Sequence, residues 1–315
     1  MHLPDGFLTA GVMVGTWTAT GAGVAAALRA ERRDDHHMPA GVLGAVAAFI
    51  FAAQLVNVPV APGTSGHLVG AALAAVLLGP WRATIVMTVV LAVQALMFQD
   101  GGLGALGANT LDMGIAAVFA GWTTASLTAR WLPTPRGAVA GGVLGGFTAT
   151  LSSAALTSVW LGLSGLYPLG GIVRVMLFTH TFIGVLEALL TGAILTTVVR
   201  WRPDLVLGLQ TRQQPAWGGA LVLGSLSVAG IIAAFVAPFA SGAPDGLEHA
   251  AERLGFGGRA AAWWTAPLPD YGLPFTMGPG LETALAGVAG TVMVAVVAWG
   301  VSRGVGTRRR DAVHR

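Results

Sequence analysis

Met1 and His2 open the chain with an α-amine, an amide nitrogen and an imidazole within one short segment. When the amine is neutral and the amide has lost its hydrogen, these three nitrogens close fused chelate rings and lie in one plane around a single ion. Planar nitrogen sets favour Ni(II) or Cu(II), and imidazole also suits Zn(II). All three groups must shed protons to bind, so affinity is expected to fall steeply toward acid pH. The alternative is that His2 is an ordinary exposed residue near a terminus. The opening has no basic n-region and no small-residue cleavage site, so this start is expected to be retained.

The fourth nitrogen of a square is expected from His67, which follows the loop Pro59-Val60-Ala61-Pro62-Gly63-Thr64-Ser65-Gly66. Its other reading is a histidine at a helix start near a membrane edge. Thr64 and Ser65 stand beside it as support. Gln99, Asp100 and Asn109 lie at the ends of apolar runs, where they are expected to orient the ligating histidines or the inserted terminus. His180 and Glu187 are seven residues apart, hence about two turns apart on one helix face at about 1.5 Å per residue. Together with Asp112 they either line a path through the bundle or pair with neighbouring helices. Asp34-Asp35-His36-His37 has a metal-like composition but reads as a solvated turn.

The elements that must hold these groups are membrane helices. Hydrophobic residues make up 54% of the 315 positions and charged residues only 10%, with a mean hydropathy of +0.72. Soluble domains carry about 25% charged residues. Apolar runs near 9–28, 39–57, 81–98, 108–129, 137–163, 173–199, 216–240 and 280–301, with a shorter one near 67–79, predict about nine spans. The fold class expected is an all-α integral membrane protein, a polytopic helical bundle with about seven spans in residues 1–212 and two in 213–315. With the N-terminus outside and the C-terminus cytoplasmic, only Arg174, Arg253 and Arg259 of the 17 basic residues remain outside, a strong positive-inside bias. The same orientation puts the metal site on the outer face of a multi-pass protein of the cell membrane. Trp81, Trp131, Trp201, Trp217 and Trp299 fall near predicted interfaces, and Gly141-Gly142 and Gly145-Gly146 predict close helix packing.

Composition also excludes functions. Cysteine is absent, so any metal must be held by nitrogen or oxygen. Lysine is absent too, which rules out a P-loop of the G-x-x-x-x-G-K-[ST] type within this chain. Any ATP hydrolysis must come from a partner. No basic domain supports a nucleic-acid partner.

Four ordered motifs carry a resemblance: Met1-His2-Leu3-Pro4-Asp5-Gly6-Phe7-Leu8, Gly63-Thr64-Ser65-Gly66-His67-Leu68, the run from Gln99 to Gly114, and His180-Thr181-Phe182-Ile183-Gly184-Val185-Leu186-Glu187-Ala188. Over roughly residues 1–210 the chain resembles the CbiM/NikM family, the metal-capturing components of energy-coupling factor (ECF) importers for cobalt and nickel. The resemblance implies that Met1, His2 and His67 bind the ion. It also implies a transmembrane coupling protein (CbiQ/NikQ-like) and cytoplasmic ABC ATPases (CbiO/NikO-like) as partners in the lipid bilayer. Co2+ or Ni2+ would be cargo, with no prosthetic group and no enzymatic activity.

After Arg212 a second part begins, with two spans around an outer segment of about 241–279. Its Ser241-Gly242-Ala243-Pro244-Asp245-Gly246-Leu247-Glu248 resembles the PDGLE domain, and its layout resembles the accessory CbiN/NikN subunits. Pro244-Asp245-Gly246 echoes Pro4-Asp5-Gly6 as a tight turn, Trp263-Trp264 suggests a segment lying on the outer face, and His249 is a weaker candidate for assisting loading. The function expected is capture of a divalent transition-metal ion from outside for ATP-driven uptake. An ion-coupled secondary transporter, relying on Glu187 and Asp112 in its spans, is the alternative. An intramembrane metal enzyme finds no H-E-x-x-H motif.

Overall fold

The chain is described by a computed structural model over residues 1–34, 38–206, 218–273 and 278–313. Asp35, His36, His37, Trp217 and the expected boundary at 212 therefore lie outside the described residues. The fold is a helical bundle. Helix α1 (Ala10–Arg33) is followed by α2 (Ala40–Gln54), a hairpin of β1 (Val58–Ala61) and β2 (Thr64–Gly66), and a short α3 (Ala71–Leu78). Helix α4 (Pro80–Val93) runs on through a π-turn, Gln94–Phe98. Helix α5 (Leu106–Asn109) passes through a second π-turn, Thr110–Ala116, into α6 (Ala117–Trp131). Then come α7 (Pro135–Leu163), α8 (Leu169–Trp201), α9 (Gly219–Ile231), α10 (Gly246–Leu254) and α11 (Pro279–Val313).

Among the described residues six helices are long and apolar enough to cross a bilayer: Ala10–Arg33, Pro80–Phe98, Pro135–Leu163, Leu169–Trp201, Gly219–Phe239 and Gly280–Val305. Two further expected spans coincide with α2 and with the α5–α6 run. The one near 67–79 is different. Helix α3 has eight residues, about 12 Å at 1.5 Å per residue, against a hydrocarbon core of about 30 Å. Gly70 (φ 78°) and Gly79 (φ 83°) take left-handed backbone at its two ends, and Pro80 restarts the helix as α4. The hairpin is a second departure from an all-α fold. Pro59 and Pro62 withhold helical N–H donors, and Gly63 turns the tip at φ 75°.

Buried non-helical backbone must have its polar groups satisfied by protein. The Glu187 carboxylate on α8 accepts hydrogen bonds from the Val69 N–H (2.6 Å) and the Gly70 N–H (3.0 Å). Gln54 Nε2 on α2 donates to the Val69 carbonyl (2.8 Å), and Gln94 Nε2 donates to Gln54 Oε1 (2.7 Å). Thus α2, α4 and α8 jointly hold the chain that follows His67.

Small residues let the helices approach, as the paired glycines of α7 predict. A Cβ built on Gly145 would stand 2.7 Å from the Gly121 carbonyl oxygen of α6, and one on Gly142 would stand 2.1 Å from the Leu195 side chain of α8. The second part joins the bundle through α2, where a Cβ on Gly44 would meet the Ala295 carbonyl oxygen of α11 at 2.7 Å. Arg82 ties the α4 start to the α1 end through Glu31 (2.7 Å) and Asp34 (2.9 Å). A direct test compares two glycines: Gly145→Leu should lower stability by about 1–3 kcal/mol through overpacking, whereas Gly15→Leu should change it by less than about 0.5 kcal/mol. Gly15 has no atoms within 4 Å of its would-be Cβ. Thermal unfolding in detergent reads both, and equal effects would refute the packing account.

Candidate metal site

The chain start is not a loose end. Leu3 is fully buried, and Met1 and Phe7 are nearly so. Burying side chains of this size contributes about 1.5–3 kcal/mol each. Asn109, at the end of α5, grips the Leu3 backbone from both sides: its Oδ1 accepts from the Leu3 N–H (2.8 Å) and its Nδ2 donates to the Leu3 carbonyl (3.1 Å). The Gly102 N–H donates to the same carbonyl (2.8 Å). The Asp5 carboxylate accepts from the N–H groups of Leu103 (3.1 Å) and Gly104 (2.8 Å). Gly6 turns at φ 91°, where a Cβ would stand 2.2 Å from the Arg259 carbonyl oxygen, so no other residue fits that turn.

These contacts bring Met1 and His2 beside His67. The two imidazoles lie 5.8 Å apart between ring centres with planes 10° apart. With metal–imidazole bonds of about 2 Å and roughly 1 Å more from nitrogen to ring centre, one ion reaches two imidazoles whose centres are up to roughly 6 Å apart. His67 Nδ1 lies 3.0 Å from the Leu68 carbonyl oxygen. It must carry the hydrogen there, which leaves the ring's lone pair on Nε2. Burial, the nearby α-amine and His2 lower the His67 pKa to about 4. The ring is therefore neutral at ordinary pH.

Carboxylates pair with the Met1 amine and the His2 ring. The Met1 α-amine pairs with Asp245 Oδ2, and His2 Nδ1 lies 2.7 Å from Asp100 Oδ1. Burial works to raise both carboxyl pKa values. The Met1 amine nevertheless holds Asp245 well below the usual carboxylate range, and His2, aided by the Tyr271 hydroxyl that donates to Asp100 Oδ2 (2.7 Å), does the same for Asp100. Tyr271 is fixed by stacking on Phe98 (4.6 Å, 17°) and follows Asp270 in left-handed backbone, φ 51° and 59°. Strain of this kind costs about 1–3 kcal/mol per residue and is held by its surroundings. Among the described residues no three His, Asp or Glu side chains gather as a metal cluster.

The remaining candidates sort by contact. Ser65 Oγ donates to the Ala243 carbonyl (2.7 Å), and its N–H donates to the Pro244 carbonyl (2.9 Å), docking β2 on the segment before α10. Thr64 is buried in β2. Gln99 Oε1 accepts from the Ala266 N–H (3.2 Å), so it secures the covering segment. His249 Nδ1 contacts the Gly63 carbonyl (3.0 Å) at the hairpin tip. Asp112 accepts from Thr157 Oγ1 and Trp160 Nε1 of α7, both at 2.7 Å. His180 shares a cavity with Met1, His67 and Asp245.

Asp245 is the residue that sequence reasoning missed. Its signal was local: Asp245 through Glu248 is a capping box, with Asp245 Oδ1 accepting from the Leu247 and Glu248 N–H groups and Glu248 Oε2 accepting from the Asp245 N–H. Its second oxygen reaches an amine 244 residues away, which no local pattern records. The echo between Pro4-Asp5-Gly6 and Pro244-Asp245-Gly246 is a coincidence of turns, because the two carboxylates serve different partners.

Residues 2–205 match the family model described as CbiM, cobalt uptake substrate-specific transmembrane region, and residues 219–307 match the PDGLE domain. The chain is 32% identical to the fused nickel transport protein NikMN of Rhodobacter capsulatus, covering 99% of this chain and 100% of that one. It is 36% identical to the cobalt transport protein CbiM of Sorangium cellulosum, over 67% of this chain and 96% of that one. A crystal structure of a transition metal transporter superposes with a TM-score of 0.59 at 29% identity, covering 67% of this chain and 96% of the other. A helical multi-pass bundle whose buried N-terminus stands beside a histidine loop is thus joined to matches over most of its length, and the chain belongs to the CbiM family, with a PDGLE domain following it.

Proposed function

We propose that this protein is the substrate-capture membrane component of an ECF-type importer for Ni2+ or Co2+, holding the ion with Met1, His2 and His67. The observation that carries the reading is the convergence of the buried Met1 amine, His2 and His67 at one end of the bundle. A fused ring with the residue's own amide requires His2 Nδ1, the nitrogen now turned to Asp100. Loading exchanges that carboxylate for the ion at Nδ1, takes the amine away from Asp245, and releases protons to solvent. His67 Nε2 closes the set, and Asn109 keeps the Leu3 backbone where the chelate needs it.

The arginine distribution supports a site facing outside and a cytoplasmic C-terminus. The absence of lysine supports ATP hydrolysis in separate cytoplasmic ABC ATPases (CbiO/NikO-like), coupled through a transmembrane partner (CbiQ/NikQ-like). No prosthetic group enters this account, and the chain divides near residue 212 into a capture part and an accessory part. An ion-coupled secondary transporter would need free ionisable groups in its spans. Glu187 and Asp112 already accept two hydrogen bonds each, from backbone and from α7 respectively, which favours the first reading.

Three outcomes are expected. Residues added before Met1, or His67→Ala, should each weaken equilibrium Ni(II) and Co(II) binding by roughly 100-fold or more, since each removes one of four donors; unchanged affinity in the extended protein would sink the assignment. Asn109→Ala should weaken binding by about 10–100-fold while leaving all donors present. The metal-free protein should lose stability between pH 6.5 and 4. In that window an unfolded His67 binds a proton that the folded one, at about 4, refuses, so stability rises with pH by up to about 3 kcal/mol and is flat for this group below pH 4. Unfolding curves of His67→Ala should be flatter over the same window.

A further inference from the structure

Beside Met1 and His67 lies a cavity lined by them and by Gly66, Val69, His180 and Asp245, with Ile183 and Gly246 completing its wall. His180 is the member that the capture reading leaves unused. It sits in α8 with no exposed surface, and its Nδ1 lies 2.8 Å from the Met176 carbonyl one turn back. That bond places the ring hydrogen on Nδ1 and the lone pair on Nε2. Nε2 is buried and has no hydrogen-bond partner among the described residues. Leaving a polar atom so placed costs about 1–3 kcal/mol. A carbonyl bonded to one imidazole nitrogen while the other is presented is how proteins orient a metal-ligating histidine.

The surroundings keep that ring edge open. A Cβ on Gly246 would stand 2.7 Å from His180 Cε1 and 2.8 Å from Nε2, so only glycine at the first turn of α10 lets the imidazole face the cavity. Ile183, one turn along α8, packs against Gly66 in the same way, where a Cβ would stand 2.9 Å from its Cγ1. One turn further, Glu187 is fully engaged by the Val69 and Gly70 N–H groups. It holds the wall and offers no competing lone pair directed at the cavity.

We propose that His180 Nε2 is a second holding position for the transported ion, taking it from the Met1–His2–His67 chelate toward the interior of the bundle. This rests on the capture reading above. The cavity is small, so the ion occupies the chelate or the His180 position in turn. The ligand class is a divalent transition-metal ion that accepts neutral imidazole.

The chain contains no cysteine, so a His180→Cys variant carries the sole thiol. Saturating Co(II) added to that protein with residues placed before Met1, so that the chelate is broken and the second position is the one left to fill, should produce thiolate-to-cobalt charge-transfer absorption in the near ultraviolet. No such band with the chelate broken overturns the proposal. Should His180→Cys fail to fold, His180→Gln in the assembled importer decides. Its maximal Ni(II) or Co(II) uptake rate is expected to fall by about tenfold, with half-saturation and purified-chain affinity held within about threefold. An unchanged maximal rate overturns the proposal. Failure of the capture reading looks different: tight binding would then survive both an extended start and His67→Ala.

Discussion

A charged amine taken out of water requires an opposite charge, and here the Met1 amine, with only 4% of its side chain exposed, finds Asp245. Burial of an unpaired ammonium is strongly unfavourable, and removing one partner of a buried pair costs about 3–5 kcal/mol. Asp245 must therefore stand over the chain start, and that requirement shapes the segment that carries it. It caps α10 with one oxygen and meets the amine with the other, so the helix cannot shift without exposing the charge. Ser65 fastens the preceding carbonyls to β2, and the Ala261 N–H donates to the Asp5 carbonyl. The two halves of the chain are thereby joined at the chain start.

Burial imposes a second constraint. Backbone that leaves the helix inside the protein must have its N–H and C=O groups satisfied. The stretch from His67 to Gly70 does so through Glu187 and Gln54, and Leu3 does so through Asn109. Glu187, Gln54 and Asn109 are thus engaged by backbone, and Asp112 by α7. His2 Nε2 and His180 Nε2 are both buried without partners among the described residues.

Asp245 holds the amine and Asp100 holds His2 Nδ1, so these carboxylates keep amine and imidazole in place at the buried chain start.

Much was legible in the residues alone. Hydropathy set the membrane helices, because apolar runs of about 20 residues have no other stable home. The adjacency of α-amine, amide and imidazole in Met1-His2 is covalent, so it could be read without any fold. The glycines of α7 announced close packing, and Asp245 with Glu248 announced a helix start. What only the tertiary structure decided depends on distance across the chain. Nothing local says that Asp245 meets an amine 244 residues away, that Asn109 clasps Leu3, or that Glu187 caps the backbone after His67. Periodicity also overestimated the run near 67–79, because Gly70 and Gly79 break a stretch whose hydropathy alone continues. Composition records which side chains avoid water, whereas packing decides which backbone groups are left to be satisfied and which charges must meet.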